Sequence, residues 1–215
     1  MRDFGTPNFE RVGQSTIILD CTERNALVRQ RLWSLAREIR AWPHVLEAVI
    51  GDGNLSLVFD RHAVAYDALR SALETAWSRG GGERIAGRTI EIAVSYGGEC
   101  GPDLAAVAQA CGLREDDVIA LHARGEYVVA FVGFLPGFAY LDGLDPRLQL
   151  PRRAQPRTRV PAGSVAIAGA QSGIYPVDSP GGWHLIGHTA HVLFDPMREP
   201  PALLEPGDRV RFVPA

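Results

Sequence analysis

The sequence predicts an α+β chain in which a βαββαβ domain precedes a β-barrel, and three patterns carry that prediction. Apolar residues recur at helical spacing twice in the first hundred positions, and short apolar, strand-like runs flank both stretches. In the second half, nine of the 15 prolines fall between Pro136 and Pro200, interleaved with glycines and runs such as Val165–Gly169. Proline fixes φ and glycine admits φ > 0, so this half is bent at fixed points into short strands and shaped loops.

Each element follows in order. Ser15–Asp20 reads as a strand. After it, Leu27, Leu32, Leu35, Ala36 and Ile39 fall on one helical face, with Thr22 as N-cap and Pro43 beyond the end. Val45–Ile50 and Leu55–Phe59 are strands joined by the hairpin chemistry of Gly51-Asp52-Gly53-Asn54. A second helix runs from about Val64 to Ser78 and ends at Gly80-Gly81-Gly82, and Arg88–Tyr96 supplies a last strand. That order is the split βαβ, ferredoxin-like arrangement. The domains are therefore expected at 1–96 and 97–215, with the boundary near Gly97. Nothing in the first assigns it chemistry, so a docking or scaffolding role is expected of it.

Beyond Gly97, Pro102 suits a first helical turn, Asp103 its positive end and Gly112 its close, and Arg114–Ala123 forms another short helix. Val128, Val129, Phe131 and Val132 suit a buried strand. Ser164–Gly169, His184–Thr189, His191–Asp195 and Asp208–Pro214 are short and evenly separated, as in a closed or nearly closed barrel.

Composition narrows the class. A length of 215 residues at 46% hydrophobic content suffices to bury a core. No window approaches the roughly 20 apolar residues of a membrane span. Met1–Gln14 lacks a basic segment followed by an apolar one, so a cytoplasmic location is expected. Cys21, Cys100 and Cys111 form neither a disulfide framework nor a zinc spacing, and no metal site is predicted. A net charge of −3 gives no general reason to expect nucleic acid.

The sequence has no phosphate loop, nucleophile elbow, HExxH or dinucleotide fingerprint, which argues against a self-contained NTPase, esterase or metalloprotease. The polar residues on the shaped loops are the candidates instead: Gln171, Ser172, Tyr175, Ser179, His184 and His188, together with His122. Of these, His122, Gln171, Ser172 and Tyr175 are the catalytic candidates. A Ser172 or Ser179 triad with a nearby histidine and Asp178 lacks an elbow motif to support it.

Arg147, Arg152, Arg153, Arg157 and Arg159 form a block with no acidic residue between Asp145 and Asp178. They are either solvated, paired with carboxylates of the other domain, or aimed at a carboxylate or phosphate, which a guanidinium binds in a bidentate manner. Arg157 and Arg159, restrained by Pro156 and Pro161, are the binding candidates. Ser179–Trp183 (SPGGW) either brings backbone N–H groups close to an oxyanion at Gly181 and Gly182 or makes a tight hairpin with Trp183 plugging the barrel.

The stretches GFLPGFAYLDGLDPRL, PRTRVPAGSVAIAGAQSGIYP and SPGGWHLIGHT closely resemble the KipI/PxpB family, also called allophanate hydrolase subunit 1, over about Ile17–Val213. The resemblance implies a cyclophilin-like barrel behind the ferredoxin-like domain. It implies a homologous KipA/PxpC partner subunit and a third PxpA-like protein. With them it implies an ATP-dependent opening of 5-oxoproline to glutamate, ATP being a co-substrate. Two other readings follow from the same resemblance: an inhibitor of a sensor histidine kinase, or half of a urea- or allophanate-type carboxyltransferase. The family usually shows PGFPYL where this chain has Pro136–Leu141 with Ala139, and Arg-Thr-Pro where it has His188-Thr189-Ala190. His188 stands where the family places a fixed cation, so it joins Arg157, Arg159, Gly181, Gly182 and Trp183 as a substrate-binding candidate.

Overall fold

The computed structural model describes residues 5–80 and 86–215, and the chain divides into two compact units, Met1–Ala86 and Gly87–Ala215. In the first, β1 (Asn8–Val12), β2 (Thr16–Asp20), α1 (Ala26–Ile39), β3 (Val45–Ile50), β4 (Asn54–Phe59) and α2 (Tyr66–Arg79) follow in order. The four strands form one antiparallel sheet in the order β1-β2-β4-β3. The helix α1 starts at Asn25 rather than Thr22, because the Asn25 side chain accepts from the Leu27 and Val28 N–H groups. Leu32, Leu35, Ala36 and Ile39 are fully buried, whereas Leu27 lies exposed in the first turn. Arg31 shares the buried face and donates to the Ala76 and Trp77 carbonyls at the end of α2. Of the expected Gly80–Gly82 stop, Gly80 ends α2 with φ +60°, and Gly81 and Gly82 lie outside the described residues.

The expected last strand of this domain belongs elsewhere. Thr89–Tyr96 (β5) lies in the second unit and pairs with β12 (His184–His188) and, in parallel, with β13 (Arg209–Pro214). Its inward residues Ile92 and Val94 are fully buried in the barrel core. The vacant place beside β2 is taken by β1, joined to it in a five-residue antiparallel ladder. The unit boundary therefore falls before β5, at Ala86/Gly87, and not near Gly97.

In the second unit, β5 is followed by α3 (Leu104–Cys111), α4 (Glu115–Ala123), β6 (Tyr127–Val132) and β7 (Ala139–Asp142). Then come β8 (Arg157–Val160), β9 (Ser164–Ala168), β10 (Gln171–Ile174), β11 (Ser179–Gly181), β12 and β13. Seven strands close a barrel in the order β10-β7-β6-β13-β5-β12-β9, while β8 and β11 pair only with each other. His191–Asp195 makes no strand; Phe194 forms a lone bridge to Ala202. The five residues of β9 are buried without alternation, as a strand inside packed layers requires. One core cluster fills the barrel around Ile92, Val94, Val129, Leu141, Ile186 and Phe212. A second gathers Phe138, Val160, Ala166, Ala168, Tyr175, Trp183 and Leu185 beside the β8–β11 ribbon. Among the described residues, no helix is long and apolar enough to cross a membrane.

Candidate functional site

The β8–β11 ribbon is held over the second cluster by its own sequence. Prolines at 156 and 161 bracket β8, Arg157 faces Gly181, and Ser179 faces the buried Val160. The Arg153 N–H reaches the Gly182 carbonyl at 2.8 Å, tying the arginine loop to the ribbon. Beneath lie Phe138, Tyr140, Tyr175 and Trp183, whose rings meet edge to face with centroids 4.9 to 5.8 Å apart. Gly173 lets them close, since a Cβ there would stand 3.0 Å from Phe138 and 3.2 Å from Trp183.

Trp183 is buried in this cluster, and its backbone N–H hydrogen-bonds to the Tyr175 hydroxyl. Burial raises the Tyr175 phenol above its ordinary value, although that hydrogen bond and the charges of Arg152 and Arg157 oppose the rise. Neither Gly181 nor Gly182 takes a positive φ. A Cβ on Gly181 would collide with the Tyr175 hydroxyl, whereas one on Gly182 would rest in ordinary contact with Pro156 at 3.6 Å. The glycine at 181 is thus required by Tyr175.

Arg147, Arg153, Arg157 and Arg159 are paired, and their carboxylates come from the same unit. Asp103, 4% exposed, accepts from Arg153 Nη1 at 2.8 Å, Arg157 Nη1 at 2.9 Å, Arg157 Nη2 at 2.7 Å and the Leu185 N–H at 2.8 Å. Burial works against its charge, but the Arg157 hydrogen bonds, the Leu185 N–H and both guanidinium charges overcome it and hold the carboxyl below the usual carboxylate range. Arg159 binds the exposed Asp178 at 2.7 Å, and Arg147 binds Asp145 at 2.8 Å. Arg159 therefore lies on the solvent side, apart from the Asp103 cluster. Sequence reasoning passed over Asp103 and Arg153 as site residues. The available signal was an arginine run with no local acid, which needs a remote carboxylate if it is to be buried at all.

His122 and Ser172 do come together, inside the barrel core. His122 is fully buried and stacks on Phe212 with centroids 4.5 Å apart. Its Nδ1 lies 2.8 Å from the Tyr96 hydroxyl and its Nε2 lies 2.9 Å from Ser172 Oγ. Ser172 donates to the Ala166 carbonyl at 3.2 Å, which assigns the rest of the chain. Nε2 carries the proton and donates to Ser172, and Nδ1 accepts from Tyr96. Burial pushes the His122 value down to about 3 and the Tyr96 phenol up, so both are neutral. In this arrangement His122 presents no lone pair to Ser172, and the Ser172 proton is committed to backbone.

The remaining candidates are dispersed. Gln171 Nε2 donates to Asp142 at 3.0 Å at the opposite end of β10 from Tyr175. His188 Nε2 lies 3.0 Å from the Ala162 carbonyl, and His184 Nε2 lies 2.9 Å from that of Pro151, so each ring is held by backbone. Among the described residues no three of His, Cys, Asp and Glu gather as metal ligands would.

Residues 7–204 match the family model described as carboxyltransferase domain, subdomain C and D. The chain is 48% identical over 205 residues to the B-type 5-oxoprolinase subunit of Escherichia coli O157:H7, covering 94% of each protein. The solved structure of TTHA0988 superposes with a TM-score of 0.82 at 40% identity over 93% of this chain, which spans only 39% of that one. The Kluyveromyces lactis urea carboxylase superposes on the whole chain with a TM-score of 0.82 at 20% identity, the match spanning 22% of that enzyme. The family-model match over residues 7–204 and the 48% identity across 94% of both proteins place this chain in the carboxyltransferase subdomain C and D family, among the B-type subunits of 5-oxoprolinases.

Proposed function

We propose that this chain is one subunit of an ATP-dependent 5-oxoprolinase that opens 5-oxoproline to glutamate. The observation that carries the reading is the 48% identity, over 94% of both chains, to a protein named for that activity. That relative is itself a subunit, and this sequence lacks any complete catalytic motif; both support work with a homologous KipA/PxpC-like subunit and a PxpA-like protein, in the cytoplasm. In the same reading the first unit is a ferredoxin-like variant whose fourth position is filled by β1, and the barrel is cyclophilin-like.

The chemistry requires help because a lactam carbonyl is a poor electrophile. Transfer of the ATP γ-phosphoryl to the carbonyl oxygen makes the carbon attackable, water adds there, and the ring nitrogen leaves with a proton. The resulting acyl phosphate is hydrolysed by a second water. Each stage places negative charge on oxygen, which fixed cations and O–H donors stabilise when water is excluded. The ribbon fits this task with Arg157, Tyr175, Gly181, Gly182 and Trp183 around one aromatic floor. His122 and Ser172 support β10, which leads into Tyr175, and Gln171 fixes the far end of that strand. Arg159 and His188 flank the ribbon from solvent.

The carboxyltransferase match favours a second reading, half of a urea- or allophanate-type carboxyltransferase. The assay that separates them is glutamate release from 5-oxoproline with ATP, using the chain co-purified with its partner subunit and the PxpA-like protein. The expected result is turnover by the complex and none by the chain alone. Turnover by the chain alone, or carboxyl transfer with no glutamate release by the complex, contradicts the reading.

A further inference from the structure

We propose that Arg153, held in place by Asp103, binds an oxyanion at the ribbon, either the carboxylate of a small cyclic amide or a phosphoryl group transferred to it. This rests on the reading above and assigns the contact to an arginine of the block other than the two that the sequence singles out. Four observations lead to Arg153.

The charges of the cluster do not cancel. Two guanidinium groups share one carboxylate, and the acceptor sites of Asp103 are occupied by Arg153, Arg157 and the Leu185 N–H. A positive charge is left over where the side chains are only 32% and 24% exposed. The two arginines also differ in what remains free. Arg157 spends both terminal nitrogens on Asp103, whereas Arg153 is bound through Nη1 and its buried Nε–H has no acceptor. A buried donor without an acceptor is costly, and a planar guanidinium offers Nε–H beside Nη–H in the fork that matches a carboxylate or phosphate.

The surroundings fit an anion. The backbone of Arg153 is bonded to Gly182, whose neighbour Gly181 abuts the Tyr175 hydroxyl, and the charges of Arg152 and Arg157 both act on Tyr175. Finally, the other arginines of the block lie in solvent: Arg159 pairs with Asp178, Arg147 shares Asp145 with Arg124, and Arg152 is exposed. Asp103 is then a positioning residue. It aims Arg153 and Arg157 without touching the ligand.

The test is equilibrium binding to the assembled complex without ATP, using L-5-oxoproline, inorganic phosphate and 2-pyrrolidinone, the same ring without the carboxylate. Arg153→Gln is expected to weaken one of the two anions about tenfold to a hundredfold and to leave 2-pyrrolidinone unchanged. Loss of 5-oxoproline binding identifies the carboxylate as the ligand, and loss of phosphate binding identifies the phosphoryl group. Arg153→Lys, which keeps the charge and loses the fork, is expected to fall between. Asp103→Asn is expected to raise KM for 5-oxoproline with kcat nearly unchanged. Unchanged affinity for both anions in Arg153→Gln, or an equal loss for 2-pyrrolidinone, overturns the assignment. A wild-type complex that does not release glutamate defeats the functional reading instead, and the phosphate arm still reports on Arg153.

Discussion

The barrel unit holds two buried polar clusters of opposite character. In the core, Tyr96, His122 and Ser172 form a neutral chain ending on the Ala166 carbonyl, and every donor in it has an acceptor. At the ribbon, Asp103 cannot satisfy both of its arginines, and Arg153 Nε–H is left over. A closed network fixes a fold and has nothing to offer a ligand, while an unbalanced one costs stability and offers charge. On the proposed reading the histidine is expected to be structural and the arginines functional, the reverse of what residue type alone suggests.

The sharpest way to break it is at His122. His122→Ala removes the ring from Phe212 and strands both hydroxyls, so the barrel is expected to lose about 3–5 kcal/mol of stability by denaturant or thermal unfolding. Turnover per folded molecule in the complex is expected to persist. A stable variant with abolished turnover would return His122 to the chemistry.

Acidity gives a second probe. Burial lowers the folded value of His122 from 6.5 to about 3, so across that range the unfolded chain takes a proton that the folded chain refuses. Its contribution is complete above about pH 6.5 and declines as pH falls, by up to about 1.4 kcal/mol per unit. Unfolding of the wild type between pH 6.5 and 4.5 should therefore show a steeper acid loss than that of His122→Gln. Equal slopes would mean that the ring is not buried neutral.

Smaller effects separate the two glycines. Gly181→Ala should displace Tyr175 and lower both stability, by about 1–3 kcal/mol, and turnover, whereas Gly182→Ala should change stability by less than about 1 kcal/mol. The reverse order would show that the ribbon packs otherwise.

How much of this was legible in the sequence depends on range. Periodicity located α1, β3, β4 and α4 to within a few residues because their signals are local. It failed on β5, since a run such as Thr89–Tyr96 specifies a strand and not its partner, and the choice between the first sheet and β13 is made by long-range burial of Ile92 and Val94. The same limit governed the site. Tyr175, Gly181 and Trp183 are near one another in sequence and emerge together. Asp103 stands 50 residues before Arg153 and 54 before Arg157, and locally it reads only as a helix-start residue. The separation of Arg159 from Arg157 follows from Asp178, which reaches from the loop just before β11 to claim it.

The most direct measurement of the central claim is steady-state 5-oxoproline hydrolysis by the assembled complex carrying Arg157→Gln, read beside its melting temperature and beside Arg159→Ala. Asp103 keeps Arg153 as a partner in the first variant, so the account predicts a melting temperature near that of the wild type with kcat/KM reduced about tenfold or more, and Arg159→Ala within about twofold of wild type. Full activity in Arg157→Gln, or an equal loss in Arg159→Ala, would contradict it.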